Sequence, residues 1–190
     1  MILGLRRGTV DVEPHRKEWE STAKETIEQL NMLLKDIAVD IQHIGSTAIH
    51  NIYAKPIIDI VVGVPELENI LSMNNCLEKN GFIFRGQDIP NQYLYICGEN
   101  DFRTHHIHAV KYDSEAWNNY INLRDYLNCH DADAQAYSKL KQSLAKIYYN
   151  DRETYTAKKS VFINEILIKA KEWNKLISID NSPNSLDINE

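Results

Sequence analysis

The stretch IIDIVVGV, residues 57–64, is apolar at almost every position, and its one charged residue is Asp59. A β-branched run of this length favours a strand, and a strand without polar alternation is typical of the interior of a sheet. Residues 39–44 form a second short run that is bounded by polar residues. We therefore predict a sheet in which residues 57–64 are a central strand and residues 39–44 are another strand.

The segments around these strands alternate between helical periodicity and turn signals. Apolar residues recur at three- and four-residue steps between Trp19 and Ile37, which predicts a helix over about residues 15–35. Pro65 opens a second predicted helix, which stops at Gly81 because glycine can take the left-handed cap. Further strands are predicted at residues 82–84, 93–97 and about 103–111.

After residue 111 the sequence shows only helical signals. Three helices are predicted, each beginning at a side chain that can cap it: from Asp113 or Ser114 to Leu127, from Asp131 or Asp133 to Tyr148, and from Asp151 to about Trp173. This order predicts an α+β protein with a mixed β-sheet, flanking helices and a C-terminal helical part. We expect one domain over residues 1–177, with an α/β core at 1–112, the helical part at 113–177 and a mobile acidic tail at 178–190.

The charge distribution excludes one class of partner and suggests another. A net charge of −6 argues against a protein that binds nucleic acid non-specifically, because such binding rests on the neutralisation of phosphates. Between Lys139 and Lys175, however, nine basic residues occur with only four acidic ones. This excess fits a helical part that binds an anion, and it also fits an ordinary solvated surface.

The sequence does not suggest membrane insertion or export. No stretch approaches the roughly 18 apolar residues that a membrane helix needs, and residues 1–5 are too few for a secretory signal before Arg6 and Arg7. The three cysteines are widely spaced without a Cys-x-x-Cys pair, so neither a disulfide framework nor a thiolate zinc site is indicated. We expect a cytoplasmic protein, and the sequence leaves its oligomeric state open.

A Gly-Ser pair, Gly45 and Ser46, follows the first predicted strand. Glycine lets a backbone approach a ligand closely, and the start of a helix presents free N–H groups, so this turn could hold a phosphate. Asp59 on the neighbouring strand would place a metal-binding carboxylate beside the turn, as nucleotide chemistry requires. Taken alone, the pattern favours an ordinary turn with a surface aspartate.

Three histidines occur within four positions of the segment RTHHIHAV, residues 103–110. On a strand, His106 and His108 project from one face and His105 from the other. Two imidazoles on one face could bind a metal ion or phosphate oxygens, with Arg103 beside them. Structural packing explains this segment equally well when the segment is considered alone.

Five separated blocks resemble the GrpB family of the nucleotidyltransferase superfamily, which has the DNA polymerase beta-like fold. They are VEPHRKEWE, HIGSTAI with AKPIIDIVVGV, RTHHIHAV, LRDYLNCHDADAQAYSKLK and YTAKKSVFINEI, and they cover about residues 12–170 in the family's order. The resemblance implies a nucleotidyltransferase-like mixed sheet. It also implies transfer of a nucleotidyl or phosphoryl group from a nucleoside triphosphate, or another phosphorylated small molecule, to an unknown acceptor. The cofactor would be a divalent metal ion, Mg²⁺, Mn²⁺ or Zn²⁺.

Carried over by position, the resemblance gives roles to particular residues. The superfamily's Gly-Ser signature falls on Gly45 and Ser46, and its first metal carboxylate falls on Asp59. Asp59 and His108 are the catalytic candidates, and together with His106 they are the candidate metal ligands. The candidates for substrate binding are Gly45 and Ser46 together with Lys55, Arg103, Arg124, Tyr137, Lys141, Tyr155 and Lys159.

The chain departs from the superfamily pattern in ways that leave other functions open. Active members usually carry Asp-x-Asp or Asp-x-Glu, whereas Ile60 and Val61 follow Asp59 here, and the family's usual Pro-Gly is replaced by His50 and Asn51. One alternative is a non-catalytic protein that binds nucleotides or other phosphorylated ligands on a degenerate nucleotidyltransferase fold. Another is an interaction protein that docks a partner on its C-terminal helices.

The candidate metal ligands favour certain ions, and the candidate basic residues have other possible roles. One carboxylate and two imidazoles suit a single borderline ion better than Mg²⁺, which prefers oxygen ligands. The basic residues could contact a triphosphate. Lys55 and Lys159 could instead be exposed to solvent, and Arg124 could pair with the adjacent Asp125.

Overall fold

The structure is a computed structural model that describes the backbone of residues 3–180 and the side chains of residues 3–87 and 89–177. The helices are α1 (Glu18–Leu33), α2 (Asn74–Lys79), α3 (Glu115–Cys129), α4 (Asp131–Ile147) and α5 (Arg152–Asp180). The strands are β1 (Leu5–Arg6), β2 (Asp40–Ile44), β3 (Ile58–Val64), β4 (Ile83–Ile89), β5 (Gln92–Cys97), β6 (Phe102–Arg103) and β7 (His105–Lys111). The tail predicted for residues 178–190 lies outside the described residues from residue 181 onward.

The central sheet has the strand order β2-β3-β7-β5-β4. β3 runs antiparallel to β2 and parallel to β7, and both β7 and β4 pair with β5 in the antiparallel sense. The sheet is therefore mixed, as the sequence predicts. A separate antiparallel pairing joins β1 to β6, which lies just before β7 in the chain.

β3 is buried on both faces, which explains its almost wholly apolar composition. On one face its alternate residues pack in the main core with Trp19 and Leu30 of α1. On the other face Val61 packs in a cluster with Trp117 of α3. A Cβ at position 63 would lie only 2.8 Å from the Trp117 ring, so the packing of Trp117 on this face requires the glycine, Gly63. The prediction that β3 is a central strand is confirmed.

The helical part packs against the segment that joins β2 to β3. Ile49 and Ile52 of this segment are buried with Tyr126, Tyr137 and Ile166, which come from α3, α4 and α5. A 3-10 helix, Ser46–Ala48, begins the segment directly after Gly45. The turn that carries Ser46 therefore lies between the sheet and the C-terminal helices.

Two of the three predicted caps in the helical part are confirmed. Ser114 rather than Asp113 caps α3, and Asp151 caps α5, each by accepting a hydrogen bond from a backbone N–H three residues later. α4 differs because His130 precedes it. The predicted capping residue Asp131 instead lies in the first turn, where a carboxylate interacts favourably with the helix dipole.

The region after β3 differs from the prediction in its detailed conformation. The helix predicted from Pro65 begins as a 3-10 helix, Leu67–Met73, and becomes α-helical only in α2. Ile70 is fully buried within the 3-10 helix. β4 is longer than predicted because a register irregularity between Phe84 and Gln87 accommodates Gly86 at a φ of 84° and lets the pairing with β5 continue.

The described helices and the cysteines can be compared with the predictions that the chain has no membrane-spanning helix and no disulfide framework. Within residues 3–180, no helix combines the length and the hydropathy needed to cross a bilayer. Cys76, Cys97 and Cys129 are free thiols, of which Cys76 and Cys97 are partly buried and Cys129 is exposed. Burial raises the pKa of the Cys97 thiol to about 12, so this group is protonated at neutral pH.

Candidate functional site

The strand register brings the polar candidates of β3 and β7 together. Asp59 pairs with His106 across the parallel strands, and Val61 pairs with His108. Since side chains alternate between the faces of a sheet, Asp59 and both imidazoles project from the same face. His105 projects from the other face, where its Nε2 lies 3.2 Å from Oγ1 of Thr26 on α1. The alternation predicted from the segment RTHHIHAV is confirmed.

Asp59 lies at the centre of this group. Its Oδ1 is 3.0 Å from Nδ1 of His106 and 3.6 Å from Nε2 of His108. Burial alone would raise the pKa of Asp59, but hydrogen bonds and favourable charge interactions with the two imidazoles hold that pKa well below its usual range. The group is therefore a carboxylate at neutral pH.

His108 is held in one orientation by residues behind it. The Tyr120 hydroxyl donates a hydrogen bond to Oε1 of Gln92 at 2.7 Å and lies 3.4 Å from Nδ1 of His108. Because the hydroxyl proton is directed at Gln92, the Tyr120 oxygen accepts from Nδ1 of His108. In the metal-free site Nε2 of His108 carries a proton towards Asp59. When a metal ion displaces that proton, the Nδ1–H form supported by Tyr120 leaves the Nε2 lone pair for the ion, and such support is typical of a histidine that ligates a metal.

The donor set fits a single divalent ion. One ligand atom from each of Asp59, His106 and His108 can be chosen so that all three lie within 4.8 Å of one another. One carboxylate oxygen with two imidazole nitrogens suits a borderline ion such as Zn²⁺ better than Mg²⁺, whose preferred ligands are oxygens.

Gly45 is required by the close approach of Asp59. Its φ is 71° and its ψ is −169°, a conformation that is almost restricted to glycine. A Cβ at this position would lie 2.5 Å from Oδ2 of Asp59 and 2.8 Å from its Cβ. The first role of this glycine is thus to let the end of β2 pass the carboxylate.

We expect Gly45→Ala to lower the free energy of unfolding by about 2 kcal/mol, because the new methyl group combines backbone strain with a collision. Gly81→Ala is the matched control, since Gly81 also has a positive φ, 88°, but a Cβ there would meet no atom within 4 Å. It should cost only about 1 kcal/mol. Urea denaturation would measure both. Equal costs would show that the approach of Asp59 does not constrain position 45.

A cavity of about 330 Å³ connects the carboxylate to the C-terminal helices. Gly45, Ser46, Asp59, His106 and His108 line its sheet side. The helical side, together with the β2–β3 segment, contributes most of the predicted substrate-binding residues, namely Lys55, Tyr137, Lys141, Tyr155 and Lys159. Sequence blocks that are widely separated along the chain therefore meet around one space.

Lys141 is the most unusual group in this cavity. Only 1% of the residue is exposed, and its Nζ makes no hydrogen bond to any residue that the structure describes. It lies 4.3 Å from the centroid of the Tyr137 ring. Burial, followed by repulsion from Lys159 and Lys55, lowers the pKa of Lys141 well below its usual value. A buried polar group without a partner is costly, so this position favours a ligand that can accept from it.

Other cations surround Lys141. Nζ of Lys55 and Nζ of Lys159 lie 5.5 Å and 5.8 Å from the centroid of the buried Tyr155 ring. Burial and the charges of Lys159 and Arg152 lower the pKa of Lys55 to about 7. Clustered cations that suppress one another's protonation form a site for an anion, because an anion removes the repulsion.

The two arginines among the predicted substrate-binding residues do not line the cavity. Arg124 donates to Oδ1 of Asp125 and to Oε1 of Gln42, each at 2.7 Å, so the local ion pair considered as its alternative is present. Arg103 is buried in β6 and donates to the carbonyl oxygen of Asn100 at 3.2 Å. Arg124 also donates to the carbonyl oxygen of His43 at 3.0 Å and so holds β2 near the site, whereas Arg103 holds the turn between β5 and β6.

The structure also adds residues that were not predicted. Arg152, at the start of α5, Thr156 and Tyr120 line the cavity. Arg152 belongs to the basic excess between residues 139 and 175, but nothing in the sequence distinguishes it from the lysines that face solvent. Asn51 adopts a φ of 59°, a conformation that asparagine tolerates better than most residues.

Comparisons with known sequences agree on one family. A family model described as GrpB protein matches residues 9–169. Glutamate-rich protein GrpB of Alkalihalophilus pseudofirmus is 36% identical over 173 residues, which cover 87% of this chain and 98% of that protein. UPF0157 protein YqkA of Bacillus subtilis is 30% identical over 167 residues, which cover 87% of this chain but only 48% of that protein.

Solved structures support the predicted fold. The conserved protein GrpB from Enterococcus faecalis superposes with a TM-score of 0.80 at 30% identity, covering 86% of this chain and 99% of that chain. The poly(U) polymerase Cid1 in complex with its short product ApU gives a TM-score of 0.50 at 15% identity, covering 70% of this chain and 42% of that chain. The second likeness concerns the fold alone, and it confirms the nucleotidyltransferase-like α+β prediction.

Proposed function

The chain belongs to the GrpB family and has a nucleotidyltransferase-like fold, and from this premise we propose that it transfers a nucleotidyl or phosphoryl group from a nucleoside triphosphate to an acceptor. The observation that carries the proposal is the buried amino group of Lys141, which lacks a hydrogen-bond partner among the described residues. It lines the same cavity as the carboxylate of Asp59. One side of the cavity can therefore neutralise phosphate charge while the other side holds a metal ion.

The cationic side binds the phosphates. Lys141, Lys55 and Lys159 approach from the β2–β3 segment and the helices, and Arg152 adds a charge that cannot be lost at physiological pH. Ser46 offers a hydroxyl that lies 3.4 Å from the Tyr137 hydroxyl, too far for a strong hydrogen bond, and is thus available to a ligand oxygen. Charge-assisted hydrogen bonds in a water-poor cavity are strong, so these groups account for affinity and for the position of the transferred phosphate.

The acidic side holds the cofactor and prepares the reaction. Asp59, His106 and His108 would hold one divalent ion, which supplies neutralisation of phosphate charge and activation of the attacking group. Asp59 remains ionised at neutral pH, and Tyr120 supports the Nδ1–H form of His108, in which Nε2 is available to the ion. The protein thus contributes a fixed negative charge and two oriented nitrogens.

A second candidate function is nucleotide or phosphorylated-ligand binding without transfer. It is favoured by the single carboxylate, Asp59, among the described residues that line the cavity. Transfer with two metal ions requires more oxygen ligands than one aspartate can provide. In this alternative the lysines recognise the phosphates and the chain acts as a sensor.

Product analysis separates the two functions. The wild-type protein would be incubated with each common nucleoside triphosphate, with Mg²⁺, Mn²⁺ or Zn²⁺, and with a panel of small-molecule, protein and RNA acceptors. Mass spectrometry would follow pyrophosphate and nucleotidylated acceptor for nucleotidyl transfer, and nucleoside diphosphate and phosphorylated acceptor for phosphoryl transfer. The transferase predicts turnover that requires the metal ion and is lost in Asp59→Asn. Saturable binding without any product under every condition would favour the sensor and contradict the transferase.

Binding of a triphosphate should depend on pH through Lys55. Its pKa of about 7 means that the side chain becomes increasingly neutral above pH 7, while a bound anion favours the charged form. We expect binding to take up protons and the affinity to fall as pH rises from 7 to 9, by at most about tenfold per pH unit for each lysine that gains a proton. Calorimetry in buffers of different ionisation enthalpy measures both quantities. Lys55→Arg should weaken the dependence, and a flat profile for the wild-type protein would contradict this role.

We place the reaction in the cytoplasm and propose a phosphorylated small molecule as the partner. The cavity of about 330 Å³ accommodates phosphates rather than an extended polymer. The net charge of −6 disfavours nucleic acid that is bound without sequence specificity.

A further inference from the structure

A second group of potential metal ligands lies away from the cavity, where α1 begins. It consists of His15, Glu20 and His50, which we call the outer histidine cluster. Nε2 of His15 lies 3.5 Å from Oε1 of Glu20, and Nδ1 of His50 lies 3.3 Å from the same oxygen. One ligand atom from each residue lies within 4.8 Å of the other two.

These separations match the spacing of ligands around a small ion. Two atoms that each lie about 2.0–2.1 Å from a tetrahedral ion are about 3.3–3.4 Å apart. A hydrogen bond between an imidazolium and a carboxylate is shorter, at about 2.7–2.9 Å. The observed separations therefore fit three ligands around a shared ion better than they fit direct hydrogen bonds between the side chains.

His15 provides an independent indication of a missing partner. Its side chain is only 10% exposed, and neither ring nitrogen makes a hydrogen bond to a residue that the structure describes. The ring packs edge-on against Trp19, with 5.5 Å between centroids, which fixes the direction of Nε2. A buried imidazole without a hydrogen bond is costly unless a ligand satisfies it.

The opposite side of the cluster is also fixed to the fold. The backbone N–H of His50 donates to Oδ1 of Asn128 at 3.0 Å, and Nδ2 of Asn128 donates to the carbonyl of Ala48 at the same distance. α3 therefore holds the turn that presents His50. The His50 and Glu20 side chains are 59% and 51% exposed, so an ion can enter from solvent.

We propose that the outer histidine cluster binds one zinc-like divalent ion through His15, Glu20 and His50, with water at the remaining position. Two imidazoles and one carboxylate suit Zn²⁺. The ion would tie the start of α1 to the segment that follows Ser46, and so would stabilise the turn at the cavity. The site does not depend on the proposed function.

The test isolates this site in the full-length Asp59→Asn variant, in which the cavity cluster is impaired. Zn²⁺ and Co²⁺ would be titrated into the metal-free protein, with calorimetry for Zn²⁺ and visible absorption for four-coordinate Co²⁺. Adding His50→Ala or Glu20→Gln should lower the affinity for the one metal ion that still binds by at least about a hundredfold. Even the loss of a hydrogen bond that supports a ligand lowers metal affinity by about 10–100-fold. Adding Glu25→Gln, which removes an exposed carboxylate elsewhere on α1, should change nothing.

The outcomes are distinguishable from misfolding and from failure of the proposed function. Melting curves of the metal-free variants should coincide, because His50 and Glu20 are largely exposed. Zn²⁺ should then raise the melting temperature only in variants that keep the outer histidine cluster. Equal metal affinity with and without His50, or equal weakening by Glu25→Gln, would overturn the proposal. A protein that turns over no nucleotide would leave this result unaffected.

Discussion

Lys141→Met should raise the stability of the protein and, in the same molecule, weaken nucleoside triphosphate binding by at least about a hundredfold. The expected gain in the free energy of unfolding is about 1–3 kcal/mol. In a chain of this size that corresponds to a rise in the melting temperature of roughly 2–4 °C per kcal/mol. Few substitutions in a binding site are expected to improve stability and remove function together.

The reason lies in the surroundings of Lys141. Its amino group is buried, makes no hydrogen bond to a described residue, and lies near two other lysines that disfavour its charged form. Methionine has a similar length and removes the unsatisfied group, while its sulfur can still pack against the Tyr137 ring. With phosphate bound, however, the same substitution leaves an anion without its closest cation.

Lys139→Met provides a matched control, since residue 139 is exposed and lies two positions earlier on α4. It should change the free energy of unfolding by no more than about 0.5 kcal/mol, and it should leave the affinity for nucleotides unchanged. Thermal melting and calorimetric titration of both variants are sufficient. A Lys141→Met protein that is less stable than the wild type would assign the lysine a structural role, and unchanged affinity would remove it from the binding site.

Asp59→Asn should reduce turnover by between about a hundredfold and a thousandfold, because it removes the fixed charge that holds the metal ion. Its effect on stability should be opposite in sign to that of Lys141→Met. The hydrogen bond between Asp59 and His106 weakens when a carboxylate becomes an amide, which should cost about 1 kcal/mol. Steady-state kinetics and urea denaturation would measure the two effects.

The stability difference has a defined dependence on pH. Because the pKa of folded Asp59 lies below its usual range, its stabilising contribution is complete above about pH 4 and is lost as pH falls further. The gap between the wild type and Asp59→Asn should therefore narrow as the solution becomes more acidic than about pH 4. Asp101→Asn, at an exposed position, should retain activity. Normal turnover by Asp59→Asn would exclude this carboxylate from the reaction.

The sheet and its polar centre could be predicted because strand geometry is local and regular. An apolar run long enough to be covered on both faces identifies β3, and a two-residue period places His106 and His108 on one face. Helix capping by Ser114 and Asp151 is similarly local. The resemblance to the GrpB family then assigns these separate segments to one nucleotidyltransferase-like fold.

Features that depend on the distance between remote segments could not be predicted. The basic run does not reveal that Lys141 faces the cavity while Lys139 faces solvent, because that distinction depends on where α4 packs. Nor does the Gly-Ser pair show why position 45 must be glycine, because a Cβ there would collide with Asp59 on the neighbouring strand. For Arg124 the adjacent Asp125 was a foreseeable partner, but the hydrogen bond to Gln42 on β2 depends on how α3 packs against the sheet.

Calorimetric titration of the wild-type protein with each nucleoside triphosphate, with and without Mg²⁺, Mn²⁺ or Zn²⁺, tests most directly whether the cavity between Asp59 and Lys141 is a triphosphate site. We predict saturable binding of one nucleotide per chain, coupled to proton uptake above pH 7 and lost in Lys141→Met but not in Lys139→Met. The absence of binding for every nucleotide and metal, in protein with a normal melting curve, would contradict the assignment.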